Sequence, residues 1–313
     1  MPNGYDDGDY SGEPPAPPER PPDPMVEVAK EALDTFFEHR RRETFYERQL
    51  QVLFESRGKV PLTPLADRGQ AGVDAQHLTL EHGFYHWITS KALAEMKAEG
   101  RVAVESRPLS MKPEEAEEGT TISFFRHPTH RFWKRQGAEI LKLVRSFSAQ
   151  AFGRAMGLHA EMLFDAGMAR AGFVTAGTAV REWEGRRWPG GENMDRVYVR
   201  DGVAWGAEIK NRLKYIDGGQ MHAKLELCAA LGLKPLFIAR MLPSTYISRI
   251  ERRGGFGLVF KYQFYPFGHE QFAGEVRERL ELPIGHELAQ RTIQRLVERG
   301  HDPWLARRRS GGA

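Results

Sequence analysis

The chain has 313 residues, 41% of them hydrophobic and 28% charged, with a formal net charge of +3. That composition suits a globular protein with room for two ordinary domains and argues against a fibrous or wholly disordered chain. A lone Cys228 excludes an internal disulfide framework. No run of about 18 apolar residues and no basic-then-apolar leader is present, so a cytoplasmic protein without membrane contact is expected.

Charge is unevenly distributed. Residues 1–24 carry six acids against Arg20, whereas the remainder holds 44 basic and 36 acidic residues. A mildly basic body behind an acidic, Pro-rich tail fits a nucleic-acid partner without demanding one. The tail itself is expected to be disordered, because it has too little apolar surface to offset the entropy of ordering.

From Met25 to Arg57 the pattern is helical, with Tyr46, Leu50, Leu53 and Phe54 on one stripe and Arg40-Arg41-Arg42 on a solvated face. A connection containing Pro61 and Pro64 leads to a short helix near 74–81. A helix opening at Trp87 then turns Ile88, Ala92, Leu93 and Met96 inward and stops at Gly100. Strands follow at 101–104 and 120–126, separated by the acidic loop 112–119. Three helices and a hairpin over 25–126 resemble a winged helix-turn-helix. The resemblance implies that the third helix presents Ser90, Lys91, Ala94 and Lys97 to a DNA groove. Glu95, Glu99 and the acidic wing oppose phosphate contact, so DNA and protein remain alternative partners of this domain.

Residues 127–145 form a basic linker or helix, in which Arg131, Lys134 and Arg135 flank Phe132 and Trp133. Cations interleaved with aromatics can grip nucleic acid by charge and stacking; a plain interdomain linker would look the same. A second domain, 146–300, opens with a helix over Leu158–Arg170 that should bury Met162, Leu163, Ala166 and Ala169. Glu161 lies at the edge of that stripe, and Asp165 one turn later. Strand 172–180 and a Gly/Pro loop lead to Asp195. The Arg186, Arg187, Trp183 and Trp188 side chains of that loop are expected to press into a nucleic-acid groove beside the site; the alternative is a surface loop whose tryptophans cover core edges.

Asp201-Gly202 is a two-residue type I′ turn between β-forming segments. Its register opposes Arg200 to Val203 and so sets Asp195 across from Glu208, about 5 Å away on one face. Lys210 joins that face by strand alternation. Two unpaired acids at that distance repel, and a hard divalent cation between them removes the problem.

Asp195 followed by Glu208-Ile209-Lys210 resembles the signature of the PD-(D/E)xK, or restriction-endonuclease-like, nuclease superfamily; Met194 stands where the family name has Pro. The resemblance implies an α/β fold, a mixed sheet flanked by helices, preceded by the α+β winged-helix-like domain. It implies Mg²⁺-dependent hydrolysis of DNA, with Mn²⁺ as a substitute and RNA as an alternative substrate. Asp195, Glu208, the Ile209 carbonyl and Glu161 would hold the metal, Lys210 would serve the attacking water or the phosphate, and Gln220 would be a polar helper, with Lys224 one turn on. A homodimer or a partner subunit would suit such a fold. The bland alternative is a surface salt-bridge cluster on a hairpin.

Helix 220–231, stopped by Gly232, and the apolar run Leu236–Ala239 predict a crossover to a parallel strand. A helix over 244–253, a strand over 257–263, helices near 270–280 and 285–299 and a flexible basic tail, 301–313, complete the chain. His77, His82 and His86 lack the spacing of one helical face and are not expected to bind metal.

Overall fold

Helix α1 (Pro24–His39) forms because Met25, Val26, Ala29, Leu33 and Phe37 recur on one face, and all are buried. The chain is described by a computed structural model for residues 24–57, 84–109 and 121–310. The acidic tail, the short helix expected near 74–81, His77, His82 and the acidic loop 112–119 lie outside the described residues.

The single helix expected over 25–57 is broken. Thr44–Tyr46 forms a short strand, β1, followed by helix α2 (Glu47–Arg57). Three β-branched or aromatic residues pair there with Phe124–Arg126 of strand β3, and this tertiary pairing overrides a helical periodicity. Helix α3 (His86–Ala98) ends at Gly100, whose φ of +71° suits glycine. Strands β2 (Ala103–Pro108) and β3 (Thr121–Arg126) are antiparallel, and the small sheet has the order β1-β3-β2.

Helices α4 (Trp133–Ser148) and α5 (Gln150–Arg170) lead to a five-stranded mixed sheet. Its strands are β4 (Val174–Val180), β7 (Met194–Arg200), β8 (Val203–Lys210), β9 (Lys234–Ala239) and β10 (Phe256–Val259), in the order β10-β9-β8-β7-β4. The pairs β4–β7 and β7–β8 are antiparallel, while β8–β9 and β9–β10 are parallel. Between β4 and β7 lies a small hairpin, β5 (Glu182–Trp183) and β6 (Arg186–Arg187). Helix α6 (Gly218–Leu231) crosses from β8 to β9, capped by Asp217 and ended by Gly232 at φ +73°.

The sheet separates two apolar layers. Ala160, Phe164 and Met168 of α5 pack on Trp205, Ala207, Ile209, Leu236 and Ile238. On the other face Leu227, Cys228 and Leu231 of α6 meet Val197, and Met221 and Leu225 meet Phe237 and Ala239. Burial pushes the Cys228 thiol up to about 12, consistent with a packing role. The stripe expected on α5 is displaced. Met162 and Leu158 are 67% and 61% exposed, and Ala166 and Ala169 also face solvent, while Met156, Ala160, Phe164 and Met168 are buried.

Helix α7 (Ser244–Arg252) falls where expected. The strand expected over 257–263 divides: Gln263–Phe264, β11, pairs instead with Ile284–Gly285, β12. Helix α8 spans Glu270–Leu280, and α9 (Gln290–Leu296) runs through a π turn at Val297–His301 into α10 (Asp302–Ser310).

Residues of both halves of the chain share hydrophobic clusters. Met25, Leu33, Leu50, Phe54 and Ile88 pack in one cluster with Ile216, Phe237, Leu242 and Ile250. Helix α4, within the expected linker, places Ile140, Leu141 and Val144 in a cluster with Tyr46, Phe124, Val276 and Leu280. No helix among the described residues is long and apolar enough to cross a membrane.

Candidate active site at the open end of the hairpin

The turn at Asp201-Gly202 has φ of +50° and +70°, as a type I′ turn requires. The pairing runs from Arg200↔Val203 to Arg196↔Ala207, which is the expected register. There the described ladder stops. The next β8 amide turned toward β7, that of Ile209, donates to Asp195 Oδ2 at 2.8 Å. The Asp195 carboxylate therefore takes the place of a backbone acceptor at the mouth of the hairpin. Strand alternation aims the Ile209 carbonyl at the same edge.

Glu208 is fully buried on the α6 face and carries two lysines. Lys210 Nζ contacts Oε1, and Lys224 Nζ lies 2.5 Å from Oε2. Lys224 also donates to the Asn193 carbonyl, so α6 is tied to the residues entering β7. Glu208 Oε1 touches the Lys210 ammonium yet accepts no hydrogen bond among the described residues. Burial disfavours the Lys210 charge, but the Glu208 and Asp195 carboxylates outweigh it and hold that ammonium above the usual lysine range. Lys210 remains charged, and its side chain is the more accessible of the two lysines.

Glu161 and Asp165 reach the hairpin from α5, on the opposite face of the sheet. Arg196 lies between them, with Nη1 2.9 Å from Glu161 Oε2 and Nε 3.0 Å from Asp165 Oδ2. Tyr198 Oη donates to Asp165 at 2.8 Å. Asp165 is thereby an anchor. Burial and then the Asp195 charge raise the Glu161 carboxyl above its ordinary value, even with Arg196 beside it. Asp195 thus acts electrostatically on Glu161 and on Lys210, which lie on two sides of it.

The expected residues divide accordingly. Asp195, Glu208, Lys210 and the Ile209 backbone converge at the hairpin mouth; Glu161 is near but held by Arg196. Gln220 is exposed and its N–H is capped by Asp217, so the residue of α6 that reaches the acids is Lys224. Among the described residues no three His, Cys, Asp or Glu side chains gather into a metal-sized group. The carboxylates of Asp195 and Glu208 and the Ile209 carbonyl are nonetheless hard oxygen donors, the type that Mg²⁺ takes.

Of the residues expected to touch nucleic acid, Lys91 and Lys97 are exposed on α3, although Lys91 Nζ lies 3.9 Å from Glu95. Arg131, Lys134 and Arg135 are exposed around the start of α4. Arg186 and Arg187 are exposed on the β5–β6 hairpin, but Trp183 and Trp188 pack on the Val180–Leu227 cluster instead of lining a groove. The Arg186 guanidinium lies against Gly232 at the end of α6. That point precedes Lys234, which pairs with Trp205, so it sits roughly 17 Å along the sheet from Lys210. Arg186 is not brought to the acids.

Sequence reading also missed Asn211. Its buried amide donates to the Met156 and Phe264 carbonyls at 3.1 and 2.5 Å and accepts from the Phe264 N–H at 2.9 Å. Those bonds fix the chain one residue beyond Lys210. Asn211→Ala is expected to lower stability by about 2–4 kcal/mol, since buried backbone groups lose their partners. Urea unfolding measures this, and a loss below about 1 kcal/mol contradicts it.

No family model, curated protein or solved structure matches this chain.

Proposed function

We propose that the chain is a metal-dependent nuclease of the restriction-endonuclease-like type that hydrolyses DNA phosphodiesters, with RNA as the alternative substrate. The observation carrying this reading is the convergence of the Asp195 carboxylate, the buried Glu208 carboxylate and the charged Lys210 at one hairpin mouth. The mixed sheet supports it: a helix precedes β4, two antiparallel pairs follow, and α6 crosses to a parallel strand. Among the described residues the order α1-β1-α2-α3-β2-β3, with β1 paired to β3, supports a winged-helix-like N-terminal part.

Asp195, Glu208 and the Ile209 carbonyl would hold Mg²⁺ or Mn²⁺. Such an ion, when bound, makes a coordinated water more acidic and screens phosphate charge. The remaining work falls to the chain. Lys210, kept protonated by its acid neighbours, would hold the attacking water or meet the charge that grows on the phosphate oxygens. Lys224 would keep the Glu208 carboxylate oriented, and Arg196 would hold Glu161 in reserve beside Asp195. Restriction, phage defence and DNA repair are the roles this chemistry serves.

A second reading has its own support. Glu208 is already compensated by two ammonium groups, and a fully paired cluster needs no ion. On that view the chain is a non-catalytic DNA-binding or regulatory protein built on the same fold. Incubating wild type with supercoiled plasmid, single-stranded DNA and RNA separates the two. The nuclease reading expects strand breaks with Mg²⁺ or Mn²⁺ that vanish with EDTA; intact substrates throughout favour the second.

A further inference from the structure

Away from the hairpin mouth, cations and aromatic rings collect where β2, β3 and the start of α4 meet. Phe132 is 86% exposed, the most exposed large apolar side chain among the described residues. Beside it the Trp133 ring has three cations around it, with Arg126 Cζ at 5.0 Å, Arg107 Cζ at 5.4 Å and Lys134 Nζ at 6.0 Å from its centroid. The surroundings are ordered. Arg126 donates to the carbonyls of His127, Pro128 and His130, while Gln136 bonds His130 and the Arg42 carbonyl.

Charge balance marks this patch. Among the described residues Arg42, Arg131 and Lys134 have no carboxylate partner, whereas Arg107 is neutralised by Glu105 and Arg135 by Glu139. An exposed phenyl ring among cations that lack a carboxylate partner is matched by a ligand that brings both anionic charge and an open π face. Duplex DNA hides its base faces in the stack. A single-stranded nucleic acid supplies both.

We infer that this patch is a docking platform for a single-stranded segment, with a base stacked on Phe132 and neighbouring phosphates on Arg131, Lys134 and Arg42. The inference rests on the nuclease reading only for its purpose, since it names the strand form in which substrate is held. Trp133 and Arg126 stiffen the platform, and the Phe132 ring, 86% exposed, is presented to solvent.

The test measures binding without cleavage, in EDTA, by fluorescence anisotropy. The probes are a labelled oligonucleotide of about 16 nucleotides and a duplex hairpin, with the full chain. Phe132→Ala is expected to weaken single-strand binding about 5- to 150-fold and to leave duplex binding within about threefold, and Phe132→Trp to restore it. Replacing both Arg131 and Lys134 with Gln should reduce the salt slope by about 1.4. Because Phe132 is exposed, thermal melting checks that each variant folds as wild type does. Undiminished binding by Phe132→Ala, equal losses on both probes, or no binding by wild type overturns the platform. A shift in sedimentation with Phe132→Ala instead of lost binding also overturns it, in favour of a protein contact. Metal-dependent cleavage in the absence of platform binding leaves the nuclease reading intact.

Discussion

Lys210→Ala is expected to slow metal-dependent DNA cleavage by about 10²- to 10³-fold, the usual loss when one preorganised donor to a developing oxyanion is removed. The change should fall on chemistry more than on folding. Lys224 still pairs with Glu208, so the buried carboxylate is not left uncompensated. Lys210 also has the more exposed side chain, which makes its packing contribution the smaller. Single-turnover rates at saturating substrate measure the effect, and circular dichroism with a melting curve checks the fold. A rate within about threefold of wild type removes Lys210 from the reaction. Lys224→Ala offers the contrast, because it leaves the Asn193 carbonyl and Glu208 Oε2 without their donor and should cost stability first.

The second large effect lies at the seam between the halves. Arg240 is 1% exposed and donates to Glu55 Oε2 at 2.7 Å, while His86 Nδ1 lies 3.3 Å from Glu55 Oε1. The same Arg240 gives its backbone N–H to the Lys210 carbonyl at 3.0 Å, linking the seam to the site. Burial opposes the Glu55 charge, but Arg240 and then His86 reverse that and hold its carboxyl below the usual range. Arg240→Ala is therefore expected to destabilise the chain by about 3–5 kcal/mol, because a buried carboxylate loses its guanidinium. Adding Glu55→Leu to that variant should recover much of the loss, as replacing both charges commonly does. Urea denaturation measures both; a single-variant loss under about 1 kcal/mol contradicts the account.

What could be read from the sequence follows from how local each determinant is. The hairpin was legible because Asp201-Gly202 accepts positive φ at both positions, and a two-residue turn fixes every opposed pair. Helix α6 and strand β9 were legible for the same reason, since Gly232 and the Leu236–Ala239 run punctuate them. The face of α5 was not. Leu158, Met162, Ala166 and Ala169 compete with Met156, Ala160, Phe164 and Met168, and periodicity cannot choose between two apolar stripes. β1 was hidden because three residues pair with a strand about eighty positions away.

The site shows the same division. Asp195, Glu208 and Lys210 follow from one turn. Lys224 left only a faint trace, a lysine within the inward series Met221, Leu225 and Cys228. Arg196 and Asn211 left none, because their partners come from α5 and from Phe264, which no local pattern connects to them. Gln220 stands at the start of α6, where Asp217 caps the helix and Gln220 is exposed.

The proposed cleavage of a phosphodiester requires two acids and an amine at one hairpin mouth. Its most direct test is the rate of plasmid nicking in Mn²⁺ by wild type, Asp195→Ala and Glu208→Ala, each shown to be folded. Nicking by wild type alone is the predicted result. Equal nicking by all three proteins would contradict it, for the bond would then be broken without the carboxylates on which the proposal rests.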